Sequence, residues 1–111
     1  MSIENKMRWV RVGKLSEFPE GKMKKVFVKD KELLVANIKG EICSIDDICT
    51  HEECSLADGF LQNDVVTCPC HLAQFNVKTG KKVANPATGD NIADEKTFKV
   101  KVENEEVFVE L

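Results

Sequence analysis

The stretch that decides this fold is residues 41–83, which read EICSIDDICTHEECSLADGFLQNDVVTCPCHLAQFNVKTGKKV. It contains two segments that combine cysteine with histidine, Cys49-Thr50-His51 and Cys68-Pro69-Cys70-His71. Sixteen residues separate His51 from Cys68, and the chain has no other histidine. The closeness of both histidines to cysteines in the sequence indicates a metal site. Thiolate and imidazole together suit zinc or iron–sulfur, and they do not suit calcium or magnesium.

Short strands separated by turn residues surround these two segments. Runs that alternate apolar and polar side chains between Gly, Pro, Asn and Asp are typical of strands. We predict strands over residues 8–12, 24–28, 33–38, 41–45, 60–61, 65–68, 75–77, 81–83, 97–102 and 106–109. No run of ten or more residues keeps a helical period, although residues 91–96 have room for one helical turn. The predicted class is all-β and antiparallel, a small sandwich or partial barrel.

Length and charge exclude several classes of protein. The chain has 111 residues, which predicts one domain. Its net charge of −3 argues against a nucleic-acid partner. It lacks the roughly 18 consecutive apolar residues of a membrane helix, and residues 1–6 lack the apolar run of a secretion signal. We therefore expect a cytoplasmic chain with no membrane partner, in which five cysteines indicate metal or redox chemistry.

A single zinc ion held by two cysteines and two histidines is the first alternative for the two segments. Zinc ribbons usually use pairs of Cys-x-x-Cys, and zinc fingers place both histidines on one helix. Cys-x-His followed by Cys-x-x-His on two β loops fits neither arrangement. A zinc-stabilised structural binding module is therefore retained only as a third hypothesis for the function.

The pattern resembles that of the Rieske iron–sulfur proteins, in which Cys-x-His is followed, after a loop of this length, by Cys-x-x-His. Residues 41–83 are similar to the cluster-binding part of that family throughout, and Asn85-Pro86-Ala87 resembles its proline loop. The resemblance covers almost the whole chain. It implies a single Rieske domain over residues 1–111, with an antiparallel base β-sandwich and a small cluster-binding subdomain at approximately residues 46–84.

The resemblance also implies a role for each residue of the two segments. Cys49 and Cys68 would bind one iron of a Rieske-type [2Fe–2S] cluster, one cluster per chain. His51 and His71 would bind the other iron through Nδ1 and leave their Nε2 edges toward solvent. Pro86 would belong to a loop that shields the cluster from a third side.

The implied ligand set raises the reduction potential relative to that of an all-cysteine cluster. Two imidazoles in place of two thiolates remove two negative charges, so an electron is added more easily; Rieske centres span about −150 to +300 mV. Respiratory Rieske proteins carry Ser and Tyr two and four residues after the second histidine, where their hydroxyls stabilise the electron. This chain has Ala73 and Phe75 there. We therefore predict a potential at the low end of the range.

The three remaining cysteines are Cys43, Cys54 and Cys70. Respiratory Rieske proteins join the positions of Cys54 and Cys70 by a disulfide, which typical Rieske ferredoxins lack. The resemblance therefore implies a possible Cys54–Cys70 bridge, while a reducing cytoplasm favours two free thiols. Cys43 alternates into the core face of its strand, and we assign it no role.

The predicted function is that of a soluble Rieske-type ferredoxin, a monomer that carries one electron between a reductase and a terminal oxygenase or similar acceptor. The alternative is a small Rieske subunit of a multisubunit oxidoreductase, such as NAD(P)H nitrite reductase. No nucleophile with its base and no nucleotide fingerprint is present, so the chain by itself is not expected to be an enzyme. Five acids near the first segment form either a solvated surface or a rim that steers a basic partner: Asp46, Asp47, Glu52, Glu53 and Asp58.

Overall fold

The computed structural model describes residues 8–111, and residues 1–7 lie outside it. Eleven strands run in chain order as β1 Trp9–Lys14, β2 Met23–Val28, β3 Lys31–Ile38, β4 Glu41–Asp46, β5 Phe60–Gln62, β6 Val65–Thr67, β7 Gln74–Asn76, β8 Lys82–Ala84, β9 Thr97–Phe98, β10 Val100–Glu103 and β11 Glu106–Glu110. Two 3-10 turns, Leu15–Glu17 and Leu56–Asp58, are the only helical pieces in this part of the chain. The all-β prediction is confirmed.

The strands form three antiparallel sheets. The terminal sheet has the order β1-β11-β10, the central sheet β2-β3-β4-β9, and the insert sheet β5-β6-β7-β8. Most strands are joined by tight turns to the neighbour with which they pair, as expected for antiparallel hairpins. The insert sheet comes between β4 and β9 in sequence, and it carries the segment that begins at Cys68.

The central sheet is buried on both faces because β3 is apolar at consecutive positions. Successive side chains of a strand point to opposite faces. Leu33 and Val35 lie in one core with Val107 of the terminal sheet. Leu34 lies in a second core with Phe75 of the insert sheet. The central sheet is thus the middle layer of three. The terminal sheet is one outer layer, and the insert sheet, which carries the Cys68 segment, is the other.

The predicted strand over residues 97–102 is wrong as a single element. Thr97 and Phe98 pair with β4 of the central sheet, whereas β10 pairs with β11 of the terminal sheet. Lys99 lies at the break, where its carbonyl accepts a hydrogen bond of 2.9 Å from the amide of Glu110. The alternation continues across the break because both halves are half-buried strands, although they belong to different layers.

The helical turn considered for residues 91–96 does not form. The backbone there is irregular, and the amide of Glu95 donates to the carbonyl of Gly80 at 2.7 Å. This contact holds the long connection after β8 against the turn between β7 and β8. No helix within residues 8–111 has the length and apolar character needed to cross a bilayer.

Gly80→Ala is expected to destabilise the fold more than Gly21→Ala. Both glycines have a left-handed backbone, with φ of 75° and 78°, so each substitution carries a similar strain of about 1 kcal/mol. A Cβ at Gly80 would lie 2.3 Å from the carbonyl oxygen of Glu95, whereas nothing lies within 4 Å of a Cβ at Gly21. We expect Gly80→Ala to cost an additional ~1–3 kcal/mol in urea unfolding. Equal costs would contradict the close approach of Glu95 to Gly80.

Candidate metal centre

The first of the two loops predicted to bind a metal, residues 47–59, follows β4 and is anchored by Asp47. This carboxylate is completely buried. One of its oxygens accepts the amide of Ala57 at 2.8 Å, and the other accepts the hydroxyl of Ser55 at 2.5 Å. Lys25 Nζ lies 3.8 Å away and supplies a positive charge. The prediction that Asp47 belongs to a solvated surface or to a rim that steers a partner is therefore wrong. Its oxygens instead bind Ser55 and Ala57 at the far end of the loop.

The second loop joins β6 to β7 and closes on itself. The amide of Cys68 donates to the carbonyl of Ala73 at 2.8 Å, and the amide of Leu72 donates to the carbonyl of Cys68 at 3.1 Å. Leu72 has a positive φ of 67°, which lets the chain reverse within a few residues. Cys70 and His71 therefore lie at the tip of the loop, while Cys68 lies at its base.

The connection after β8 touches both loops. The amide of Ala87 donates to the carbonyl of His71 at 2.6 Å, and the hydroxyl of Thr50 donates to the carbonyl of Ala93 at 2.7 Å. Pro86 is buried next to the first of these contacts. The third segment thus ties the two metal-binding loops together from one side.

Glu95 is a buried carboxylate behind the first loop. It is 5% exposed, and its Oε2 accepts the amide of Thr50 at 2.9 Å. Burial raises the pKa of Glu95 to about 8, the amide of Thr50 opposes the rise, and the charges of Asp46 and Asp47 reinforce it. Because Thr50 lies between Cys49 and His51, Glu95 sets the position of both. Nothing in the local sequence of Glu95 marks it as buried, so its role was not predictable from sequence.

The structure brings the predicted cysteine ligands together. Cys49 is 4% and Cys68 is 2% exposed, and the neighbouring Cys68 side chain adds to the rise in the pKa of Cys49. Burial raises the pKa of Cys49, while the backbone N–H groups of His51 and Glu52 point at its sulfur and lower the pKa. The same N–H groups would stabilise a metal-bound thiolate.

Cys54 and Cys70 form a disulfide, with their Cα atoms 6.5 Å apart. The bridge links the first loop to the tip of the second loop. The Sγ atoms of Cys54, Cys68 and Cys70 all lie within 4.8 Å of one another. Cys43 is buried away from this group, and burial raises the pKa of its thiol to about 11.

The two predicted histidine ligands are also neighbours, with ring centroids 5.1 Å apart. His51 Nε2 lies 3.0 Å from Asp90 Oδ2, and His71 Nε2 lies 2.9 Å from Glu52 Oε2. Hydrogen bonds from Thr88 and then from His51 lower the pKa of Asp90, so it is anionic at neutral pH. With both Nε2 atoms engaged by carboxylates, both Nδ1 atoms are left for a metal.

Two buried thiols and two imidazoles form a donor set that fits a Rieske-type [2Fe–2S] cluster. Each loop offers one thiol and one imidazole, so both loops would be needed to hold the group. The carboxylates on the outer nitrogens fix the orientation of the rings, as partners of metal-binding histidines commonly do. The same donor types also suit zinc.

The Rieske [2Fe-2S] domain family matches residues 8–109 of this chain. The ferredoxin component of the naphthalene 1,2-dioxygenase system of Pseudomonas aeruginosa is 38% identical over 104 residues, which are 94% of this chain and 96% of that protein. A chain in the complex of reduced oxygenase and oxidised ferredoxin of carbazole 1,9a-dioxygenase superposes with a TM-score of 0.84 at 32% identity, covering 93% of each chain. A ferredoxin of Sphingomonas yanoikuyae B1 superposes with a TM-score of 0.82 at 26% identity, covering 92% of this chain and 97% of that one.

Glu95→Gln is expected to flatten the pH dependence of stability. The pKa of Glu95 is about 8 in the folded chain, above its ordinary value of 4.5. The folded state therefore keeps a proton that the unfolded state releases, and stability falls as pH rises from about 4.5 to 8. Between pH 5.5 and 8.5 the wild type should lose ~2–4 kcal/mol more unfolding free energy than the variant. Urea titrations at several pH values measure the unfolding free energy of both proteins. If the wild type and the variant lost the same amount as pH rises, Glu95 would be ionised in the folded chain.

Proposed function

Because this chain belongs to the Rieske [2Fe–2S] family, its cofactor is a Rieske-type cluster, and we propose that it carries single electrons from a reductase to a terminal oxygenase. The main support is the match along nearly the whole chain to ferredoxin components of dioxygenase systems. A structural neighbour is a chain from the complex of reduced oxygenase and oxidised ferredoxin in carbazole 1,9a-dioxygenase. The chain is thus an electron-carrying component, and its partner oxidises the substrate.

We propose that Cys49, Cys68, His51 and His71 are the ligands. The burial of both thiols, the influence of Cys68 on the pKa of Cys49 and the closeness of the two rings support this set. When bound, the cluster supplies a centre that gains and releases one electron. Family membership favours this cofactor over the zinc of the structural-module hypothesis.

The surrounding residues hold this donor set in place. Asp90 and Glu52 engage the outer nitrogens of the imidazoles, and Pro86 is buried beside the His71 loop. We propose that Pro86 shields the cluster and that residues 46–84 form the cluster-binding subdomain. The position of the insert sheet in the chain supports that boundary.

The surface around the histidines has the chemistry of a docking face for a basic partner. The side chains of Glu52 and Asp90 are 52% and 64% exposed, and that of His71 is 37% exposed. Leu72, next to His71, is 54% exposed. We propose that an oxygenase or a reductase places basic side chains against Glu52 and Asp90 and an apolar group against Leu72. Complementary charge of this kind raises the rate of encounter.

The proposed location of the carrier is the cytoplasm, as expected for a partner of flavin- or iron–sulfur-containing reductases. The Cys54–Cys70 bridge is unusual in that compartment, where thiols are kept reduced. Cell fractionation with antibody detection tests the location. Recovery of the chain outside the cytoplasm would overturn this part of the proposal and leave the electron-transfer role in place.

Iron and sulfide analysis with EPR spectroscopy tests the cofactor. We expect a reddish-brown protein with two irons and two sulfides per chain and a Rieske-type signal after dithionite reduction. A colourless protein loaded with zinc after anaerobic preparation would overturn the proposal.

Gel filtration of native extract tests the carrier role, because a complex that survives high salt would identify a bound subunit instead.

The predicted low potential is consistent with the side chains near the second loop. Ala73 is 1% exposed and Phe75 is 0% exposed. Neither side chain can donate a hydrogen bond to a sulfur, so the added electron is not stabilised from this side. A potential near the low end of about −150 to +300 mV stays a prediction.

His71→Cys is expected to lower the reduction potential. A thiolate in place of a neutral imidazole adds negative charge next to the iron, and all-cysteine centres lie near −400 mV. We expect a fall of roughly 100 mV or more in protein-film voltammetry. Cys43→Ser is the control, because Cys43 is buried outside the site and its loss should leave the potential unchanged. An unchanged potential in His71→Cys would remove His71 from the ligand set.

A further inference from the structure

The Cys54–Cys70 disulfide opens onto the surface of the molecule. Cys70 is exposed and Cys54 is half-buried. Both line an open cleft of about 610 Å³ between the two cysteine–histidine loops and the hairpin of β2 and β3, together with Lys25, Ser55 and Pro69. A small thiol reagent can therefore reach the bridge from solvent.

A third sulfur lies beside this bridge on its inner side. The Sγ of Cys68 is within 4.8 Å of both disulfide sulfurs, and Cys68 itself is buried. Attack of a thiolate on a neighbouring disulfide sulfur is the elementary step of thiol–disulfide exchange. A metal-bound Cys68 has no free sulfur for that step, whereas a metal-free Cys68 has one.

We propose that Cys54, Cys68 and Cys70 form a thiol-exchange site in the cluster-free chain. The Cys68 sulfur, having lost its proton, attacks Cys54 Sγ. The Cys54–Cys70 bond breaks, a Cys54–Cys68 bond forms, and Cys70 leaves as a thiolate that takes up a proton. The number of disulfides is unchanged, so no external oxidant or reductant is needed. The inference rests on the proposed ligand set, since cluster binding at Cys68 prevents the exchange.

The positions of the sulfurs determine the direction of attack. Cys70 is exposed, so its thiolate is stabilised by water when it leaves. The other product, a Cys68–Cys70 bond, would close a ring across Pro69 alone, and disulfide geometry disfavours such short spans. The expected product therefore joins the two loops through Cys54 and Cys68.

The exchange would remove a cluster ligand from use. With Cys68 in a disulfide, the chain cannot take up a cluster until a dithiol supplies two electrons and two protons to reopen the bond. The cleft that exposes Cys54 gives such a dithiol access. Cluster uptake would thus depend on the thiol state of the surroundings.

Two metal-free variants provide the test: Cys49→Ser and Cys68→Ser. Each lacks one proposed ligand thiol, but only Cys68→Ser lacks the attacking sulfur. Folded protein is labelled with N-ethylmaleimide, denatured without reductant, digested and sequenced by mass spectrometry. We expect about tenfold more label on Cys70 in Cys49→Ser than in Cys68→Ser, with Cys54 and Cys68 linked in the former. Cys43 stays unlabelled, because it is buried and the pKa of its thiol is raised.

Equal labelling of Cys70 in the two variants, or an intact Cys54–Cys70 bond in Cys49→Ser, would overturn the proposal. Circular dichroism establishes that both variants are folded. If Cys68→Ser does not fold, the wild type is labelled with its cluster and again after chelator removes the iron; label on Cys70 must appear only in the stripped protein. The variant comparison needs no cluster, so its outcome is separate from that of the iron and EPR analysis.

Discussion

The fold depends on the burial of strand β3 on both of its faces. Leu33, Leu34, Val35 and Ala36 are each 0% exposed, although they are consecutive. A strand of this kind must lie between two other layers, because leaving either face in water would expose several apolar side chains. The terminal sheet covers one face and the insert sheet covers the other. The loop that begins at Cys68 extends from a layer that is itself required to complete the core.

Carboxylates near the site fall into two groups with opposite tasks. Asp47 and Glu95 are buried, and they bind backbone amides that hold the first loop in shape. Asp90 and Glu52 are exposed, and they bind the outer nitrogens of the imidazoles. The raised pKa of Glu95 keeps it largely protonated at neutral pH, so it stabilises the loop without adding a full charge beside the thiols. Charge is instead concentrated at the surface, where a partner can meet it.

The ligand candidates were predictable from sequence because each pair of donors is local and chemically distinctive. His51 follows Cys49 by two positions, and His71 follows Cys68 by three. The buried acids were not predictable, because the partner of Glu95 is 45 positions away at Thr50, and both acids have charged or polar neighbours in sequence. The break at Lys99 was missed for a related reason. Alternation of apolar and polar side chains indicates that a strand has a buried face, but it does not indicate which sheet the strand joins.

The chain leaves the central sheet at the end of β4 and returns to it at β9, and these two points are neighbours. The amide of Asp46 bonds to the carbonyl of Lys96 at 2.9 Å, and Ser44 pairs with Phe98. Segments whose ends meet in this way are tolerated as insertions, since the host closes the gap with little strain. Residues 47–95 therefore form one insertion whose two ends lie side by side. Exposed loops and charges on this insertion can diversify to suit new redox partners, while its apolar face is fixed by the core that it completes over β3.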